Sequence, residues 1–277
     1  YLKPYNRMFA PDPASKKSAM VGGIVINNAS GMNCGTHANS DKILNSVRIV
    51  FADGTVLDTG DDRSRAVFAR LKPQFIDGIM KLRDEICADE ELVKRIKYKY
   101  SIKNVTGLNL LPFVTYRDPY EIIAHSMVGS EGTLAFLSEI TVNTSHLYPC
   151  SASAMLYFSD LKEACKAVVA MKKGPVFGAE LLDKKSLSAV NDPTGEGLTA
   201  VLTETKADTP EELQKNINEI LEILKPFNLY KPAYFTDKPE EYSEYWKIRS
   251  GIFPSVGATR PLGSTVLIED VAFHIED

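Results

Sequence analysis

The sequence is poor in the residues that build metal centres. Its four cysteines, Cys34, Cys87, Cys150 and Cys165, are scattered without a C-x-x-C pair. That spacing supports neither a structural zinc site nor an iron–sulfur cluster within the chain, and reduced thiols in a cytoplasmic protein are the expectation. The four histidines are dispersed as well. His37 falls in a polar loop, His125 on a helical stretch, and His146 and His274 have no partner at ligand spacing. No apolar run approaches the roughly 20 residues that a bilayer crossing takes. Basic residues are not in excess either: 32 Lys plus Arg against 36 Asp plus Glu leave a net charge of −4, which argues against nucleic-acid binding. There is no Met at the start and no signal-peptide pattern in YLKPYNRMFAPDP. Without a secretion signal, the N-x-S/T triplets at Asn28, Asn104 and Asn143 carry little weight. Because VLIEDVAFHIED stops within a strand-like pattern, we expect a fragment of a longer protein.

What is present reads as two α+β domains, 1–149 and 150–277. In the first, LNSVRIVFADGTVLD predicts a hairpin, with Val47, Ile49 and Phe51 alternating before an Asp53-Gly54 turn. Residues 61–99 turn helical, with Pro73 dividing the pattern. The segment 101–118 is loop-like, PYEIIAHSM is a short helix, and a Gly-rich turn then enters a strand through Leu134, Phe136, Ile140 and Val142. In the second, SASAMLYF predicts a strand and Asp160 caps a helix. VFGAELLD is a strand running into a helix at KKSLSAV, and LTAVLTETKA is a further strand. The next helix is capped by Thr209, with Pro210 at its first position. This β-α-β-β-α-β order predicts a ferredoxin-like sandwich.

Two stretches carry candidate chemistry. VGGIVINNASGMNCGTHANSD sets Gly22, Gly23, Gly31 and Gly35 among small polar residues, so that backbone can approach a ligand closely. It is neither G-x-G-x-x-G nor a P-loop, and its composition leaves a tight turn and a cofactor loop equally open. VGSEGTLAF lacks the spacing of a nucleophile elbow, and Ser130 has no assignable His partner, so acyl transfer ranks low.

Taken together, the stretches are far more specific. The order P-D-P-x-S, G-G, N-N-A-S-G, C-G-T, the A-D-G-T hairpin and then G-S-E-G-T-L, with IKNVTGLNL and YWKIRSGIFPSVGATRPLGSTVLIEDVA, resembles the FAD-linked oxidase family. That family has the vanillyl-alcohol-oxidase (PCMH-type) flavin domain, and the likeness is greatest to its branch of D-lactate and D-2-hydroxyglutarate dehydrogenases. The resemblance covers essentially the whole chain. It implies a second FAD subdomain followed by part of a substrate cap, and oxidation of a D-2-hydroxy acid to the 2-oxo acid by hydride transfer to flavin. Electrons would pass to a quinone, a cytochrome or an iron–sulfur module, and the protein would be cytoplasmic or peripheral at the inner membrane. It further implies that the first flavin subdomain lies upstream of Tyr1. An iron–sulfur module, a divalent-metal site and the catalytic base would lie downstream of Asp277, and the 277 residues alone would bind FAD weakly or not at all and not turn over.

Carried over, Pro11, Asp12, Ser15, Gly22, Gly23, Asn27, Ser30, Gly31, Gly35 and Thr36 would line FAD. Gly129, Ser130, Glu131, Gly132 and Thr133 would form a second wall, with Ile140 near the adenine end. Arg249 or Arg260 would clamp the substrate carboxylate, a solvated surface arginine being the competing reading for each. Glu180, Asp183, Glu269 and Asp270 are acidic candidates near the active site, with a structural role at least as strong a reading. Related dehydrogenases carry a lysine two residues before the position matching Asp270, where this chain has Ile268. The rival from another class is a non-catalytic ligand-binding or scaffold module on the same fold. A flavin reductase of cell-wall precursor synthesis is disfavoured by the IEDVA pattern.

Overall fold

A computed structural model of the chain describes residues 1–13, 15–31, 34–190, 197–259 and 261–264. The chain divides into two compact units, the first ending at His146 and the second beginning at Leu147.

The first unit is built on an antiparallel sheet, β2 (Leu44–Val50), β3 (Val56–Asp58) and β4 (Phe136–Val142), in the order β3-β2-β4. Its hairpin turns where the sequence predicts: Gly54 has φ +82° and Thr55 N–H donates to Asp53 Oδ1 at 2.9 Å. Strand alternation buries Val47, Ile49 and Leu57 on one face, where they pack on Phe68, Ile123 and Met127. Between β3 and β4 the chain leaves the sheet for α3 (Asp62–Leu71), α4 (Pro73–Ala88), α5 (Glu90–Lys99), α6 (Leu111–Thr115) and α7 (Pro119–Ser126). Asp61, Asp89 and Asp118 cap α3, α5 and α7 through their carboxylates, and Pro73 starts α4. Before the sheet come β1 (Arg7–Met8), α1 (Val21–Ile26) and α2 (Ser40–Ile43), and β1 pairs with β5 (Ser145–His146).

Two of these helices depart from the sequence reading. The segment VGGIVI is a helix, not a turn or open loop, because Ile24 and Val25 are 6% and 0% exposed and their burial outweighs the low helix propensity of two glycines. In the loop-like 101–118 segment, Pro112 sits in the first turn of α6 rather than marking a loop. Asn109 Oδ1 accepts the Leu111 N–H at 3.0 Å, in the manner of a helix-entry turn.

The second unit follows the predicted order: β6 (Cys150–Phe158), α8 (Leu161–Met171), β7 (Gly178–Leu182), α9 (Lys184–Ala189), β8 (Thr199–Ala207) and α10 (Pro210–Leu224). All pairings are antiparallel in the order β6-β8-β7, and bridges Ser153–Thr236 and Phe158–Leu229 lay the segment after α10 along the outer edge of β6. That is the 4-1-3-2 order of a ferredoxin-like sheet, with its fourth strand reduced to two bridges. Asp160 and Thr209 cap α8 and α10. One sheet face packs Ala154, Leu156 and Val201 against α8 and α10. The other packs Met155, Leu182 and Leu202 against Tyr245, Trp246, Ile248 and Ile252 of α11 (Pro239–Thr259). The strand expected in VLIEDVAFHIED lies outside the described residues. No described helix is long and apolar enough to cross a membrane.

Candidate functional site

The two Gly-rich stretches meet in the first unit. α1 runs beside β4, and a groove of about 600 Å³ opens between them, lined by Met20, Val21, Gly22, Gly23 and Ile26 on one side and by Gly132 and residues 135–140 on the other. Four expected flavin contacts, Gly22, Gly23, Gly132 and Ile140, therefore share one surface. The turn before β4 is stitched to α1 by the Glu131 N–H, which donates to the Ile26 carbonyl at 3.1 Å. Its backbone is strongly bent, with φ of +82°, +53° and +72° at Gly129, Glu131 and Gly132. Thr133 closes it by donating its N–H and hydroxyl to the Ser130 carbonyl at 3.0 and 2.6 Å. Gly107, from IKNVTGLNL, packs so tightly that a Cβ there would stand 2.5 Å from the Gly129 carbonyl oxygen.

Two observations test whether this surface fits FAD. A Cβ on Gly22 or Gly23 would meet nothing within 4 Å, so the backbone there borders open space rather than protein. Ser130, beside Gly129, is fully buried, its hydroxyl has no hydrogen-bond partner among the described residues, and it does not line the groove. The groove has the volume and largely apolar lining of a small-molecule site. The residues present fit the cofactor.

The other expected contacts sit differently. Gly31 lies flush on Asp12, where a Cβ would collide with both its carboxylate and its backbone, and Asp12 also pairs with Lys16 at 3.5 Å. Ser30 donates its hydroxyl to Asn39 Oδ1 at 3.1 Å. Cys34, wholly buried, accepts the Gly31 N–H at 3.1 Å, and its thiol reaches Asn39 Oδ1 at 2.9 Å. Cys34 and Asn39 thus hold the NNASG loop from inside, a role that thiol spacing along the sequence could not reveal. Pro11 is buried, Ser15, Asn27, Gly35 and Thr36 are exposed or nearly so, and Gly35 has φ +51° under the His37 ring.

A second cavity of about 320 Å³ lies against α7, lined among others by Asp41, Lys42, Tyr100, Tyr116 and His125. His125 is 5% exposed and stacks on Tyr116 with ring centroids 4.3 Å apart. Its Nε2 lies 3.7 Å from Glu121. Burial, opposed by Asp41, holds the imidazole below its usual pKa and so favours the neutral form. Burial likewise raises the Tyr100 and Tyr116 phenols.

In the second unit, Arg249 on α11 donates Nε and Nη2 to the two carboxylate oxygens of Glu180 on β7, at 2.5 and 3.0 Å. Trp246, one turn earlier, donates its indole N–H to Ser153 Oγ at 3.3 Å. Asp183 is a helix cap: it accepts the Ser186 N–H at 2.8 Å, and its hydrogen bonds to Ser186 hold its carboxyl below the usual range. Arg260, Ile268, Glu269 and Asp270 lie outside the described residues. No cluster of three His, Cys, Asp or Glu that could hold a metal occurs among the described residues.

Comparison with known proteins bears on the same two units. Residues 1–60 match the family model described as "FAD binding domain", and residues 147–277 match "FAD linked oxidases, C-terminal domain". The chain is 31% identical over 153 residues to the mitochondrial D-lactate dehydrogenase [cytochrome] of Arabidopsis thaliana, covering 52% of this chain and 26% of that protein. To the D-2-hydroxyglutarate dehydrogenase of Escherichia coli (strain K12) it is 22% identical, over 79% of this chain and 21% of the relative. With glycolate oxidase subunit GlcD of the same strain it shares 22% identity, over 94% and 43%. The chain thus spans under half the length of each of these relatives. A solved alkyldihydroxyacetonephosphate synthase superposes on 92% of the chain with a TM-score of 0.55 at 14% identity, covering 42% of that chain, which shows a shared fold. One family model thus matches each unit in the expected order, the FAD binding domain at residues 1–60 and the C-terminal domain of FAD linked oxidases at residues 147–277, on an α+β fold.

Proposed function

We propose that this chain is part of a FAD-dependent dehydrogenase that oxidises a D-2-hydroxy acid, D-lactate or D-2-hydroxyglutarate, to the 2-oxo acid. The observation that carries the reading is the groove over Gly22 and Gly23, where both Gly-rich stretches line open space. FAD, when bound, supplies a two-electron acceptor for the Cα hydrogen of the acid. The chain's own residues hold the reactants. Gly22, Gly23 and Gly132 let backbone approach the cofactor, and Arg249 holds the substrate carboxylate as a charge-assisted pair. The hydroxyl proton passes to a basic side chain, and the electrons go on to a quinone, a cytochrome or an iron–sulfur module. Arg260 is the second candidate for the carboxylate.

The similarity to a glycolate oxidase subunit over most of the chain favours glycolate as a second substrate reading. Anaerobic addition of D-lactate, D-2-hydroxyglutarate and glycolate to the intact, flavin-loaded protein tests all three. Bleaching of the flavin band by one of them supports the dehydrogenase and names its substrate. No bleaching by any 2-hydroxy acid would contradict it and favour a non-catalytic module.

A further inference from the structure

The cavity of about 320 Å³ beside α7 shares no lining residue with the flavin groove, and the proposed reaction leaves it without a use. Its wall is drawn from α2, α5, α6 and α7, all in the first unit. Helices that pack only against one another close their contacts with apolar side chains. Here Leu111 and Pro112 supply the apolar lining, and the other lining residues are polar.

The charges around the cavity decide what it can hold. Asp41 is ion-paired with Lys42 at 3.1 Å. Glu121, the carboxylate next to His125, stands 3.8 Å from Arg65. Burial favours the neutral form of His125. Lys97 is exposed in the last turn of α5, and no carboxylate pairs with it among the described residues. With the two pairs set against each other, one ammonium is left without a counter-charge.

The hydrogen bonds have the same bias. The Thr115 hydroxyl is spent on the Leu111 carbonyl at 2.9 Å, and Asn109 Oδ1 on the Leu111 N–H at 3.0 Å. Tyr116 is a fixed wall, its ring stacked on His125 and its hydroxyl 3.4 Å from Nδ1. Burial raises the Tyr100 phenol and keeps it protonated; its oxygen accepts from the Leu110 backbone, so its O–H is the donor that remains. The groups left over at the cavity are thus a cation and a hydroxyl donor.

We infer that this cavity binds a small organic anion, its carboxylate or phosphate head taken by Lys97 and Tyr100 and its short apolar body laid on Leu111 and Pro112. Oxygens that carry the negative charge accept from both donors at once, and the volume is that of a small-molecule site.

The test titrates the intact, flavin-loaded protein with butyrate, with n-butyl phosphate and with butyramide as the uncharged isostere. It reads the heat of binding and the His125 ring-proton resonances, assigned by their loss in His125→Phe. At least one anion is expected to bind and to shift those resonances, with butyramide at least about tenfold weaker; the tighter anion identifies the head. Lys97→Met should weaken that anion about tenfold and leave butyramide unchanged. Tyr100→Phe, which keeps the ring, should weaken it about threefold. Butyramide binding as tightly as both anions would overturn the proposal, and so would anion affinity indifferent to both substitutions. No shift at His125 up to about 50 mM of either anion would overturn it as well, including the case in which an anion binds elsewhere on the protein. Neither anion carries a 2-hydroxyl to be oxidised, so the outcome does not depend on the dehydrogenase reading.

Discussion

Within a single stretch of sequence, Gly22 and Gly23 on one side and Gly31 on the other do opposite things. A side chain on Gly22 or Gly23 would enter open space, while one on Gly31 would strike Asp12. The first pair borders the open groove beside β4. Gly31 is small because the chain already fills the space. Glycine content alone therefore does not separate open surface from closed packing; what lies where the Cβ would be does.

Substitutions can break or sharpen this contrast. The largest effect is expected at Gly31→Ala, which forces the loop off Asp12 and destabilises the first unit by about 1–3 kcal/mol, read as a lowered urea midpoint. Gly107→Ala belongs to the same class, since its methyl meets the Gly129 carbonyl. Next is Cys34→Ala, which removes the thiol that Gly31 and Asn39 surround and should cost about 1–2 kcal/mol by the same measurement. Gly22→Ala should leave the fold intact or gain up to about 1 kcal/mol, since alanine favours the α1 helix and meets no neighbour, while weakening flavin binding.

The smallest effect is acid-linked. The folded protein holds His125 below the ordinary value of 6.5, so the unfolded chain takes up this proton first as the pH falls. The stability that the neutral imidazole contributes is present above pH 6.5 and declines below it. Asp41 tempers that decline and Lys42 adds to it. Comparing urea midpoints at pH 7 and pH 5 should show a smaller acid-induced drop in His125→Phe than in the unaltered protein.

Much of the fold could be read from the sequence because it is locally encoded. Val47 and Ile49 alternate into a turn that Asp53 and Gly54 specify, and Asp160 and the Thr209-Pro210 pair announce helix starts by their own chemistry. Even the ferredoxin-like strand order followed from element succession. What escaped is short or long-range. Six residues of α1 and five of α6 are too few for a helical period to show; packing forms α1, and the Asn109 and Pro112 start forms α6. Cys34 and Asn39 share a motif, but nothing in it says that the thiol points inward. The Glu180 and Arg249 pair joins residues 69 apart, and both were candidates without any sign that they met. The sequence marked a set of candidate residues, while their division into open surface and closed packing was not visible in it.

The central claim, that the groove over Gly22 and Gly23 receives the flavin, is tested most directly by titrating FAD into the flavin-stripped intact protein carrying Gly23→Leu. The account predicts an unchanged or higher melting temperature with FAD affinity at least about tenfold weaker. FAD bound as tightly as by the unaltered protein would contradict it.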